Sequence, residues 1–385
     1  MALVSYWEEE AFWKADLAIV GAGLVGLSLA AEVLERIPDL RIIILERGLT
    51  PMGASTKNAG FLCLGSPSEL CRSLREIGEA RTVELVAQRV AGLRRLRQRL
   101  GDEAIGYEAV GGYEIILEPY EWVLDELDRL NTLFKEVVVG DFAILWDGRL
   151  SEFRFGDRVR HLIYLPHEAA VHPGLLMRRL WQYVSGLGAL IMTGAEVEAW
   201  EEAGEIVRIS VQDGIGRRWQ LSARTAAFCT NALAPSLTRC LSTRPGRGQI
   251  LITEPIEDLP WKGVFHFEEG YFYFRSVGKR ILFGGGRHHD RTTETTAQFE
   301  TTEKIRGILE SYLRTVIIPW RDVKVDRWWA GIMGFREPPL PKVAWEGERV
   351  VSVFACNGMG VALSSVVAQQ AAEELLRHED YGVAS

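Results

Sequence analysis

Apolar positions along the chain fall into two kinds of run. DLAIVGAGLVG, residues 16–26, is an unbroken apolar stretch that enters a glycine-rich turn. Residues 27–36 have helical composition and stop before Pro38, and RIIIL, residues 41–45, is a second apolar stretch closed by Glu46. Continuous apolar strands flanking a helix are the pattern of a parallel sheet covered on both faces, so one βαβ unit is predicted here. Helical periodicity follows at residues 67–76, 81–100, 120–137, 174–185 and 297–316, the first opened by Ser66-Pro67-Ser68-Glu69, a capping box with proline at the first helical position. Strands are predicted at 112–117 and 189–193, a small meander over 195–221, and a short strand at 225–230. Residues 247–285 alternate or run apolar between turn signals and read as β-rich. A strand at 323–332 and a strand, tight loop and helix spanning 350–377 close the chain.

Composition narrows the classes. The chain has 385 residues, 47% hydrophobic and 25% charged, ordinary values for a globular protein with enough length for two or three domains. Its net charge of −8 argues against a nucleic-acid partner. Basic residues 89–99 alternate with Val90, Leu93, Leu96 and Leu100, as on a solvated helix face. The cysteines Cys63, Cys71, Cys229, Cys240 and Cys356 show no C-x-x-C pair, which predicts buried free thiols in a reducing compartment. No apolar run reaches the length of a membrane span and the start lacks a signal-peptide pattern, so a cytoplasmic protein is expected. Trp7 and Trp13 are expected to dock on the body.

Gly21, Gly23 and Gly26 form G-x-G-x-x-G directly after a strand and before a helix. The first permits the tight turn, the second lets a pyrophosphate approach the backbone, and the third lets helix and strand pack closely. The helix start then offers N–H groups to phosphate charge. Glu46, about twenty residues past the last glycine, can accept hydrogen bonds from both ribose hydroxyls and disfavours a 2′-phosphate. Strand, triplet, helix, strand and terminal acid occur in order, which predicts a dinucleotide site.

Seven stretches, GAGLVG with Glu46, GASTKNAGF, EAAVHPGLL, TNA, GRGQ, WAGIMGF and CNGMGVA, follow one another in an order that resembles the FAD-dependent amine and amino-acid oxidoreductases of the D-amino-acid oxidase type, which include glycine oxidase and sarcosine oxidase. The resemblance covers most of the chain. It implies an α/β fold with a Rossmann-like FAD-binding domain (residues 1–110, 151–235 and 329–385) and an inserted β-rich substrate domain (111–150 and 236–328). It further implies that Arg47, Ser55, Thr56, Lys57, Asn58, Ala59 and Gly60 surround the cofactor, that Val197 contacts adenine through its backbone, and that Thr230, Asn231 and Ala232 close over the pyrophosphate. Gly331 and the loop Gly358, Met359, Gly360 and Val361 would meet the flavin, where a helix start favours the negative charge of the reduced ring.

In that family a hydride leaves the carbon next to an amine nitrogen for flavin N5, and no protein base is obligatory. The resemblance places the substrate between the β-rich domain and the flavin. Candidate wall residues are Gln249, His266, Tyr271, Tyr273, Arg275, Trp329, Met333 and Arg336, each with a structural role in the sheet as the alternative, and Lys57 either reaches the ring edge or faces solvent. Relatives acting on glycine or D-amino acids carry an arginine after W-x-G-x that clamps the substrate carboxylate; here Met333 fills that slot. Arg275 or Arg336 would replace it, or the substrate is an amine without an α-carboxylate or a larger N-substituted compound. Residues 328–345 contain no cysteine, so FAD without a covalent link is expected. An amine substrate and oxygen or another electron acceptor are the expected partners. Four other readings stand beside this one: an NAD-linked dehydrogenase, a tRNA-modifying flavoenzyme, a dehydrogenase passing electrons to a quinone or carrier, and a silent flavin-binding scaffold.

Overall fold

A computed structural model describes residues 4–233, 237–354 and 357–378. Among these residues the βαβ unit lies at the centre of an eight-stranded sheet ordered Lys342–Trp345, Val350–Phe354, Arg218–Phe228, Lys14–Val20, Ile42–Glu46, Leu190–Thr193, with Ile206–Asp213 and Ala195–Ala203 branching from Arg218–Phe228. Lys14–Val20 pairs in parallel with Ile42–Glu46 on one side and Arg218–Phe228 on the other. Side-chain alternation sends Leu17 and Ile19 to one face, into a core shared with helices Leu24–Leu34, Glu79–Leu100 and Gly360–His378. Ala18 and Val20 go to the other face, under the meander strands. Burial on both sides explains the unbroken apolar runs.

A second eight-stranded sheet runs Val325–Phe335, Arg244–Thr253, Arg280–Gly285, Phe272–Val277, Val264–Phe267, Gly112–Leu117, Val159–Leu165, Ile144–Leu145, mostly antiparallel. Here the alternation in residues 271–276 divides the faces. Phe272 and Phe274 enter an aromatic core with Phe265, Phe267 and Phe283 beneath helix Glu303–Tyr312, the Phe265 and Phe274 rings stacking at 4.5 Å. Tyr273 faces the other way, toward the first sheet and its helices. Each large side chain buried this way contributes roughly 1.5–3 kcal/mol.

The α/β architecture with a β-rich second unit is as predicted, but strand membership moves the expected boundaries. Val159–Leu165 is the antiparallel partner of Gly112–Leu117, and Val325–Phe335 is the partner of Arg244–Thr253, so neither the step at 150/151 nor that at 328/329 follows a sheet. We propose that the second unit runs from Gly112 to Leu165 and from Arg244 to Phe335. The helix expected over 120–137 is a 3-10 segment, Glu118–Glu126, followed by helix Leu127–Phe134, and the one expected over 297–316 begins only at Glu303, after Thr302. Trp13 docks on the body by stacking on Trp219 at 4.9 Å, whereas Trp7 is exposed. Cys63, Cys71 and Cys229 are buried and Cys240 is exposed; Cys356 lies outside the described residues. Among the described residues no helix is long and apolar enough to cross a membrane.

Candidate functional site

A cavity of about 1010 Å³ runs from the glycine-rich turn to the inner face of the second sheet. At its nucleotide end the backbone makes the wall. Gly21 has φ +102°, a left-handed geometry that suits glycine, and an added Cβ would lie 2.9 Å from the Cys229 carbonyl oxygen. A Cβ on Gly26 would lie 2.0 Å from the Gly21 carbonyl oxygen, so helix and strand touch there. At Gly23 the only heavy atom among the described residues that a Cβ would meet is Ser55 Oγ, at 3.0 Å; otherwise that position opens into the cavity, as a cradle for a pyrophosphate requires. Glu46 is buried at the end of its strand and accepts from the Ala22 N–H at 3.1 Å and the Gly48 N–H at 3.0 Å. Those bonds fix the carboxylate beside the turn while leaving each oxygen a further lone pair. Val197 lines the same end, and Arg47 sits at its rim, 3.6 Å from Glu196.

The loop 53–60 forms the middle of the wall, and its own side chains hold its shape. Ser55 Oγ accepts from the Leu24 N–H at 3.0 Å, which leaves its hydroxyl proton free to donate. Asn58 Nδ2 donates to the Ala54 and Ser55 carbonyls and its Oδ1 accepts from the Gly60 N–H. Ala59 and Gly60 line the cavity. Thr56 turns away from it and donates to the Pro51 carbonyl at 2.7 Å. Lys57 lines the wall with its ammonium 5.5 Å from the Phe299 ring centroid, while its carbonyl accepts from Trp329 Nε1. Gly331 passes close to Lys57, where a Cβ would lie 3.1 Å from the lysine Cβ.

Opposite this loop lie Thr230 and Asn231, and then Gly358, Met359, Gly360 and Val361 at the start of helix Gly360–His378. Asn231 has φ +55°, and its Oδ1 is buried with no hydrogen-bond donor among the described residues. Ala232 is buried behind the wall and does not line it. A cradle that a Cβ would intrude on and a helix start, both facing one long cavity, fit an elongated, phosphate-bearing cofactor.

The second sheet supplies the far end. Ile250, His266, Tyr271, Tyr273, Met333 and Phe335 line it. Met333 Cε and Tyr273 Oη both lie over Gly248, 2.8 and 3.5 Å from where a Cβ would be. Burial pushes the Tyr273 phenol up to about 12, so its oxygen keeps its proton. His266 Nε2 contacts the buried Glu168 Oε2 at 2.8 Å, and Glu168 Oε1 accepts from the Leu64 N–H. Burial pulls the His266 pKa down, but the charge and hydrogen bond of Glu168, with Glu69 and Glu114 beyond, outweigh it and leave it raised.

Three candidates take structural roles. Arg275 Nη1 donates to the Gly60 carbonyl at 2.8 Å and the Val171 carbonyl at 2.7 Å, and its Nε donates to the Ser276 carbonyl, all behind the wall. Trp329 likewise clamps the loop, through Lys57. Gln249 is buried on the sheet's outer side, donating to Glu294 and Thr302. Gln249 misses the cavity because it alternates with Gly248 and Ile250, which line it, whereas Arg275 misses it because neighbouring backbone carbonyls consume its donors, which alternation does not report. Arg336 reaches the wall, but its Nη1 donates to the Pro338 and Leu340 carbonyls. The structure adds residues that the sequence did not mark: Arg287, Arg291 and Arg72 around Tyr271, and Glu168 behind His266. The GGGR run at 284–287 was the available signal for Arg287, since glycines ending a strand beside a cation mark a turn toward a ligand.

Residues 16–374 match the profile of a family described as FAD dependent oxidoreductase. A glycine oxidase from Geobacillus kaustophilus is 24% identical over 383 residues, covering 94% of this chain and 93% of its own. An L-2-hydroxyglutarate dehydrogenase from Escherichia coli is 22% identical over 333 residues, covering 78% of this chain and 72% of its own. The crystal structure of glycine oxidase from Geobacillus kaustophilus superposes with a TM-score of 0.77 at 20% identity, over 96% of both chains.

Proposed function

The chain belongs to the FAD dependent oxidoreductase family, and from that premise we propose that it oxidises the C–N bond of an amine or N-substituted amino acid, with oxygen or another acceptor taking the electrons onward. The observation that carries the reading is the single cavity joining the glycine-turn cradle to an apolar wall of Ile250, Met333 and Phe335. Bound FAD supplies the two-electron acceptor.

The chain's own residues divide the remaining work. The turn at Gly21–Gly26 and Ser55 would hold the pyrophosphate, Glu46 the ribose and the Val197 backbone the adenine. Lys57, Asn58, Gly60, Asn231 and the start of helix Gly360–His378 would surround the ring without a covalent link. Ile250, Met333 and Phe335 exclude water from the reacting carbon. A neutral Tyr273 holds a proton at Oη and can donate to the substrate. Oxidation leaves a C=N bond, formed from the nitrogen lone pair as the C–H hydride departs. Water then cleaves it to a carbonyl compound and a released amine.

A second reading is favoured by one observation. Oxidation of a 2-hydroxy acid needs a base for the hydroxyl proton, and the His266–Glu168 pair stands on the wall. Anaerobic mixing of the yellow protein with secondary amines, amino acids and 2-hydroxy acids decides between the two. Bleaching of the flavin absorbance by amines is the expected result, and bleaching by hydroxy acids alone would replace the reading with the second.

A further inference from the structure

Six arginines reach the cavity wall among the described residues, and five are accounted for. Arg47 faces Glu196, Arg72 is bonded to Glu269 at 2.8 Å, and Arg336 is committed to two carbonyls. Arg244 is exposed at the rim, and Arg291 Nη2 donates to Tyr271 Oη at 2.8 Å. Arg287 is half-buried and has neither a hydrogen bond nor a carboxylate partner among the described residues. Its guanidinium carbon sits 3.8 Å from the Phe335 ring centroid and 5.9 Å from that of Tyr271. The turn that puts it there needs glycine. Gly285 has φ +124° and a Cβ there would lie 2.1 Å from the Tyr271 carbonyl oxygen, while Gly286 has φ +77°.

A guanidinium stays charged in proteins, and holding one partly out of water without a counter-ion is unfavourable. Stacking on a ring fixes its plane and leaves the N–H fork unused, the form suited to a carboxylate. The nearby acids do not neutralise it. Glu69 is paired with Arg89, and Glu269 with Arg72 and Arg75. Met333 and Phe335 are two residues apart on the Val325–Phe335 strand and share its cavity face. Phe335, on which Arg287 stacks, therefore lies one side-chain repeat from Met333, roughly 7 Å along the strand, so Met333 and Arg287 can meet different parts of one ligand.

We propose that Arg287 anchors a substrate carboxylate, and that this carboxylate is separated from the oxidised C–N bond by several bonds rather than attached to the reacting carbon. The inference rests on the reading of the second-sheet end as the substrate end. It names the class as amines bearing a remote carboxylate, with Met333 against the chain between the two groups.

The test uses the FAD-loaded enzyme and three acids of increasing length, N-methylglycine, N-methyl-β-alanine and N-methyl-γ-aminobutyrate, beside the carboxylate-free partner N-methylbutylamine. Binding is read from the change in flavin absorbance and turnover from KM and kcat. In the wild type the longer acids should bind more tightly than N-methylglycine. Arg287→Met should collapse the preference for N-methyl-γ-aminobutyrate over N-methylbutylamine by on the order of 10- to 100-fold, through KM more than kcat. Arg287→Lys, which keeps the charge and loses the fork, should lower it by less. An unchanged preference in Arg287→Met overturns the proposal. If that variant retains no FAD, the lysine variant decides, a lowered preference supporting the anchor and a wild-type preference overturning it. Should no amine bleach the flavin while the acids still bind in an Arg287-dependent way, the amine reading fails and the anchor stands. Bleaching by amines with no dependence on Arg287 gives the reverse.

Discussion

At the nucleotide end of the cavity the wall is backbone, with Gly21, Gly23 and Gly26 shaping it and one carboxylate, Glu46, tied to two N–H groups beside it. At the other end the wall is side chains delivered by strands and loops from residue 250 to residue 335. The first end is built on one βαβ unit with Cys229 and Ser55 packed against its turn, and it has no room for an added atom at Gly21 or Gly26. The second depends on which of several arginines, tyrosines and acids are already satisfied by their neighbours.

The largest effect is expected from adding a side chain to the turn. Gly26→Val should prevent folding, because even its Cβ would overlap the Gly21 carbonyl. Gly23→Val should fold yet purify colourless, since only Ser55 Oγ lies within 4 Å and the rest of the side chain would fill the cradle. Circular dichroism and the flavin-to-protein ratio separate the two outcomes, and a yellow Gly23→Val would remove the cradle from the account.

Next in size is Arg275→Met. It withdraws donors from the Gly60 and Val171 carbonyls, at a cost of roughly 2–4 kcal/mol in stability. If Arg275 instead served the substrate, denaturant unfolding would show no loss while KM rose. Glu46→Ala should weaken FAD by roughly 1.5–3 kcal/mol, measured by titrating apoprotein, because a charged acceptor for the ribose disappears. Equal FAD affinity in the variant would show that the strand-end acid does not touch the cofactor.

The smallest effect expected is on pH dependence. Burial is the main reason the Glu114 carboxyl, bonded to the Ser68 hydroxyl and N–H, is pushed up to about 7, and His266 is raised by Glu168. Both groups bind protons more tightly folded than unfolded. Their stabilisation is complete below the unfolded values, about 4.5 for the acid and 6.5 for the histidine, and is lost as pH rises through the folded ones. Thermal midpoints should therefore fall as pH rises from about 5 to 8, and His266→Gln should flatten that slope. A slope unchanged by the substitution would place the titration elsewhere.

How far each end was legible follows from the same contrast. The glycine spacing and the acid at residue 46 are local in sequence, and the structure puts them together as expected. At the far end the alternation of residues 271–276 turns Tyr273 away from the aromatic core, but alternation cannot report that Arg275 is absorbed by Gly60, which is distant in sequence. Arg287 was missed for the opposite reason. It lies past the end of a strand, and its place against Phe335 depends on two left-handed glycines and on a strand that arrives about fifty residues later. Thr56 was misplaced within a loop whose composition was read correctly, because a hydroxyl can serve either a ligand or its own loop.

Whether this cavity oxidises a C–N bond is decided by one anaerobic single-turnover experiment. The FAD-loaded protein is mixed with a secondary amine bearing a remote carboxylate, and flavin bleaching is followed together with the nitrogen compound released. The account predicts one equivalent of released amine for each equivalent of flavin bleached. Bleaching by a matched hydroxy acid with no nitrogen released, and none by the amine, would contradict it.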